Sequence, residues 1–122
     1  MTIAETFLPE FEHEMAGTRR TIERIPDAKL KWSAHPKSHT IGWVANHLAE
    51  IPGWVEGTLT QTVWDLAPEG GEPYKSPELI TTAEILMVFD QYVESAKKAL
   101  QKATDADMMV DWSLAMKGQT LF

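Results

Sequence analysis

The chain of 122 residues contains no cysteine. That absence removes disulfides, thiolate nucleophiles, zinc fingers and iron–sulfur clusters together, and leaves His, Asp and Glu as the metal ligands open to it. Basic residues are few: 11 Lys and Arg stand against 18 Asp and Glu, for a net charge of −7. No segment gathers enough of them to neutralise a row of phosphates, so nucleic acid is not expected as a partner. No apolar run is long enough to span a bilayer. The first ten residues carry acids where a secretory signal would carry bases. A membrane is therefore not expected as a partner, and a cytoplasmic location is the default expectation. There is also no Gly-rich phosphate loop after a strand, since Gly70-Gly71 lies among prolines, and no Gly-x-Ser-x-Gly elbow. Nucleotide chemistry and serine hydrolysis are both disfavoured.

What remains is a composition of 43% apolar and 24% charged residues without low-complexity tracts. It fits one globular domain over residues 1–122, too short for two separate cores. Helical spacing dominates the pattern. Phe11, Met15, Thr18, Ile22 and Ile25 fall on one stripe, which predicts a first helix from about Pro9 to Arg24. Thr2 and Glu5 have capping-box spacing, but Pro9 cannot donate inside a helix begun there, so a preceding turn or kink is expected. Pro26 to His39 reads as a loop holding Trp32. Thr40 is a suitable N-cap for a second helix, with Val44, Leu48, Ile51, Val55 and Leu59 as its apolar stripe and His47 near the inward side. Pro52 should bend this helix within about one turn of His47.

Residues 60–77 hold three of the seven prolines, Pro68, Pro73 and Pro77, and the Gly70-Gly71 pair, with Trp64 and Tyr74 between them, and read as a long functional or covering loop. Thr81 and Glu84 form a capping box for a third helix, predicted to run to about Thr104 with Ile85, Val88, Phe89, Tyr92, Ala96, Ala99 and Ala103 on one face. The tail from Asp111 has Lys117-Gly118 as a turn signal and reads as a hairpin or extended edge. The two halves resemble each other: Ile22 to Ser33 parallels Leu100 to Ser113, each a helix end, a loop and a Trp-Ser pair.

His47 leads the candidates for chemistry, because neutral imidazole is a common divalent-metal ligand and a helix presents it rigidly. On the residues alone two roles stay open for it: a ligand or catalytic group, or a satisfied histidine at the edge of a core, which is the commoner case. Trp43, His47 and Trp54 share one side of the second helix. With Glu50 and Glu12 they are the candidates for lining a pocket, Glu12 as a base or extra ligand if it reaches the centre. His35 and His39 are four apart but in a loop with Pro36, not on a shared helical face. His13 is expected to face solvent.

The stretches Phe11 to Arg19, Ile25-Pro26-Asp27, His35 to Ser38 and, most specifically, Asn46-His47-Leu48-Ala49-Glu50-Ile51-Pro52-Gly53-Trp54 resemble the DinB-like family. That family comprises four-helix bundles that include damage-inducible proteins and thiol S-transferases related to bacillithiol transferase. The likeness implies an all-α up-down bundle in which this sequence provides three of four helices. It also implies a divalent metal, zinc or nickel, bound by one His of helix 2 and a His-x-x-x-His pair of helix 4. His47 corresponds to the first ligand; the pair has no counterpart before Phe122. The expectation is thus a truncated piece of a longer protein, or a form that pairs with a second copy as a homodimer.

For a complete member the likeness implies metal-dependent transfer of a small-molecule thiol to an electrophile, or hydrolysis. Little or no catalysis is expected of these 122 residues alone. The rival expectation is a non-enzymatic stress-response module that holds an apolar ligand among its aromatic side chains.

Overall fold

The computed structural model describes all residues, Met1–Phe122, and is mainly helical. In chain order it contains α1 (Ile3–Glu23), a 3₁₀ turn (Asp27–Lys29), α2 (Ile41–Glu50), a second 3₁₀ turn (Ile51–Gly53) and α3 (Trp54–Thr60). There follow β1 (Val63–Asp65), α4 (Thr82–Lys102), α5 (Asp105–Met108), β2 (Ser113–Met116) and β3 (Gln119–Thr120).

The first helix starts earlier than its Pro9 suggests. The Thr2 and Glu5 box closes in both directions, and the amide of Ile3 donates to Asp105 Oδ1 at 2.7 Å. Pro9 lies inside the helix on an exposed side, as does Glu5, so the carbonyl it leaves without an amide partner faces water and the interruption costs little. In α4 the expected Thr81 and Glu84 box forms, and the helix ends at Lys102.

α4 is the shared partner of the fold. α1, α2, the second 3₁₀ turn and α3 all pack on it, whereas α1 and α2 touch each other little. The core joins Ile22, Leu30, Ala45, Ala49, Ile85 and Phe89. The buried face of α2 differs from the expected stripe: Gly42, Ala45 and Ala49 are buried, while Val44 is 45% exposed and Ile51 39%. Small side chains let the α2 backbone approach its neighbours, and the larger ones stand away from the contact. At Gly42 the approach is closest, with its amide donating to Leu30 O at 2.7 Å.

The uncovered side of α2 continues into an apolar recess of about 350 Å³, bounded by Thr21, Ile25, Trp32, Val44 and Leu48. On α1, Phe7 is 50% exposed.

Three short strands depart from an all-α chain. β1 pairs in parallel with β2, and β2 pairs antiparallel with β3. The expected tail hairpin forms about Lys117 (φ 51°) and Gly118 (φ 77°), the two positive φ values that a two-residue type I′ turn needs. Asp65, at the end of β1, clamps this turn by accepting from the amides of Lys117 and Gly118 at 3.0 and 2.7 Å. The two Trp-Ser segments follow corresponding short helical turns, Asp27–Lys29 and Asp105–Met108. No helix is long and apolar enough to cross a membrane.

Candidate functional site

Pro52 interrupts the second helical stretch as expected, because it cannot donate to the carbonyl of Leu48. The 3₁₀ turn Ile51–Gly53 takes up the break and redirects the chain into α3. His47 stands one turn before it, on the last turn of α2. Two residues from Ala45 at about 100° per residue, it lies on the far side of the helix from the packed face. This corrects the inward placement expected from the sequence; the imidazole is 38% exposed.

The ring is nevertheless held. Its Nδ1 lies 2.8 Å from Oε1 of Glu50, one turn on, and that carboxylate is only 2% exposed. Glu50 is buried because the segment between β1 and α4 crosses over it. Tyr74 donates its hydroxyl to Oε2 at 2.6 Å, and Ser76 donates to Oε1 at 2.9 Å. Asn46 fastens the same segment, accepting from the amide of Leu79 and donating to its carbonyl at 3.0 and 3.1 Å.

Burial pushes the Glu50 carboxyl up, but the hydrogen bonds from Tyr74, His47 and Ser76 outweigh it, and the group lies below its ordinary value. The Tyr74 phenol is pushed up to about 12, first by burial and then by the Glu50 carboxylate that accepts its proton. At neutral pH the pair is therefore a charged acceptor and a fixed donor.

Around this pair the aromatic rings form one continuous row. His39 stacks on Trp43 at 3.5 Å between centroids, Trp43 on His47 at 5.1 Å, and His47 meets Trp54 edge-on at 5.7 Å. Trp54 lies 5.8 Å from Trp64, and Trp64 4.9 Å from Tyr74. Trp54 also donates its indole N–H to the Tyr74 oxygen at 3.1 Å. An open cleft of about 1050 Å³ borders the row, with Leu30, Trp43, His47, Glu50, Lys75 and Leu79 among its walls.

The structure thus brings together His47, Glu50, Trp43 and Trp54 of the residues singled out in the sequence. Glu12 is elsewhere: it is exposed on α1 and pairs with Lys97 at 2.9 Å. His13 faces solvent, and His35 accepts from the Lys37 amide within its own loop. Tyr74, Ser76 and Asn46 had not been singled out for this cluster. Glu50 three residues after His47 was a local signal, but no spacing rule names the distant residues that cover it.

The donor set limits what these residues can hold. No three His, Asp or Glu side chains converge on a common point, so a complete three-ligand metal centre does not fit on this chain alone. One ligand does fit. The sole hydrogen bond of the His47 ring runs through Nδ1, and a ligating imidazole characteristically has its second nitrogen tied to a carboxylate in this way.

A family model described as the DinB superfamily matches residues 10–115 of the chain. No curated protein and no solved structure matches it.

Proposed function

The chain belongs to the DinB superfamily, and on that premise we propose that it contributes one ligand, His47 Nε2, to a metal-dependent thiol transferase or hydrolase centre. The observation that carries the proposal is the state of the ring: its Nδ1 is engaged by a buried carboxylate while Nε2 has no hydrogen-bond partner. When bound, zinc or nickel supplies Lewis acidity and lowers the pKa of a coordinated water or thiol. The chain's own residues hold the imidazole, wall one side of the cleft with Trp43, set Trp54 edge-on against the ring, and keep Glu50 charged beside it.

The remaining ligands come from outside these residues. The uncovered side of α2, with Val44 and Ile51 exposed next to His47, suits an apolar-faced helix that completes an up-down bundle. That helix belongs either to further sequence or to a second copy in a homodimer that shares ligands across its interface. These 122 residues by themselves are expected to show little or no turnover.

Metal analysis of the purified natural protein tests the proposal, with a thiol-transfer assay alongside. Stoichiometric zinc or nickel that disappears in His47→Ala supports it. A metal content that His47→Ala leaves unchanged overturns it. Metal-free protein whose tryptophan fluorescence responds to aromatic ligands would instead favour a second reading, a non-catalytic apolar-ligand module, for which the row of rings from His39 to Tyr74 is the supporting observation.

A further inference from the structure

Glu50 has two oxygens and three side-chain partners, and the chemistry of the carboxylate and of two of them, Tyr74 and Ser76, constrains the third, the His47 ring. The Tyr74 oxygen already accepts from the Trp54 indole at 3.1 Å, so its own proton is directed to Glu50 Oε2 at 2.6 Å. Ser76 approaches Oε1 at 2.9 Å and His47 Nδ1 approaches the same oxygen at 2.8 Å. A carboxylate has only lone pairs to offer, so Nδ1 must be the donor. In neutral His47 the remaining lone pair then sits on Nε2.

We propose that Glu50 is a positioning residue that fixes His47 as the Nδ1–H tautomer, and that Tyr74 and Ser76, by holding Glu50, make the covering segment part of that device. The Nε2 lone pair is then oriented before any ligand arrives. The consequence for metal binding rests on the function proposed above; the tautomer itself does not.

The proposal sets apart two parts of the chain that look alike in sequence. His39 and His47 both stack on Trp43, at 3.5 and 5.1 Å. Only His47 has a buried carboxylate at its ring nitrogen. Ring stacking does not choose between two tautomers; a charged acceptor on one nitrogen does.

The test is nitrogen NMR on the metal-free protein with labelled histidine, about two pH units above the ordinary histidine value of about 6.5. His47 is expected to show a protonated Nδ1 and an unprotonated Nε2. Glu50→Gln, whose amide offers both a donor and an acceptor, is expected to shift the tautomer ratio about tenfold toward the Nε2–H form, the equivalent of one charge-assisted hydrogen bond. His39 serves as the internal comparison and keeps its tautomer ratio in the variant. A proton on Nε2 in the unmodified protein overturns the proposal, whether or not the variant folds. So does a folded Glu50→Gln protein with an unchanged ratio. Because no metal is added, a failure of the metal reading leaves this outcome unaffected.

Discussion

Replacing Glu50 with Gln keeps the size of the side chain and removes its charge, and the effect on stability should depend on pH in a definite sense. Two opposing influences act on the carboxylate. Burial at 2% exposure disfavours the charged form, while donation from Tyr74, His47 and Ser76 favours it, and the donors win. Gln mimics the neutral carboxyl group, so the variant loses what the charged form gains. Hydrogen bonds to a charged acceptor contribute more than neutral ones, and part of that gain is offset by desolvation, which leaves a net loss of about 1–3 kcal/mol at neutral pH. For a chain of this size that is about 4–12 °C in Tm.

The sign of the pH dependence follows from the lowered carboxyl. Such a group stabilises the fold fully above its unfolded value, about 4.3, and the contribution fades as pH falls through the lower folded value. Urea denaturation of both proteins at a series of pH values isolates it as a difference, since the other acids are common to both. The gap should narrow on acidification below about pH 4.3. A gap that widens there, or a variant as stable as the parent at neutral pH, would mean that burial dominates and would refute the reasoning.

Gly42→Ala should destabilise, because a Cβ there would stand 2.7 Å from the Leu30 carbonyl oxygen, a backbone atom that cannot rotate away; about 1–3 kcal/mol is expected in denaturant melts. Gly57→Ala, with nothing within 4 Å of its Cβ in α3, should instead stabilise by up to about 1 kcal/mol, so the two variants should move in opposite directions. Asp65→Ala should speed hydrogen exchange at the Lys117 and Gly118 amides it now accepts from, while leaving exchange in α4 unchanged. In an alkaline absorbance titration, one phenol should ionise near pH 12, and that late step should vanish in Tyr74→Phe.

Much of the helical layout was legible because it is written in local signals. Thr81 with Glu84, Thr40, Pro52 and the Lys117-Gly118 pair each satisfy a backbone requirement within a few residues, and each acts in the structure as its spacing implies. The misreadings arise where distant partners decide. Pro9 argued against an early helix start, yet the Thr2 box and the Asp105 carboxylate hold α1 open to Ile3. Val44 and Ile51 looked like core by size, whereas Ala45 and Ala49 win the packed face because they allow close approach. The parallel pairing of β1 with β2 joins segments some fifty residues apart and left no periodic trace in either.

The same division runs through the site. His47, Trp43 and Trp54 share one side of the second helical stretch, and helical spacing was enough to group them. Glu50 was within reach of the same argument. Its partners Tyr74 and Ser76 lie on an irregular segment, where no period relates them to α2, and only the folded arrangement shows that they bury the carboxylate. Glu12 was grouped with the site by residue type, and its ion pair with Lys97 on the surface shows how little residue type decides alone.

The most direct test of the central claim, that His47 offers a free Nε2 beside the uncovered side of α2, is histidine NMR during titration with a trace of paramagnetic Ni²⁺. Of the four histidines, His47 should broaden first and at Nε2, and its replacement by Ala should abolish that preference. Broadening centred on His13 or on the His35 and His39 loop, with His47 untouched, would contradict it.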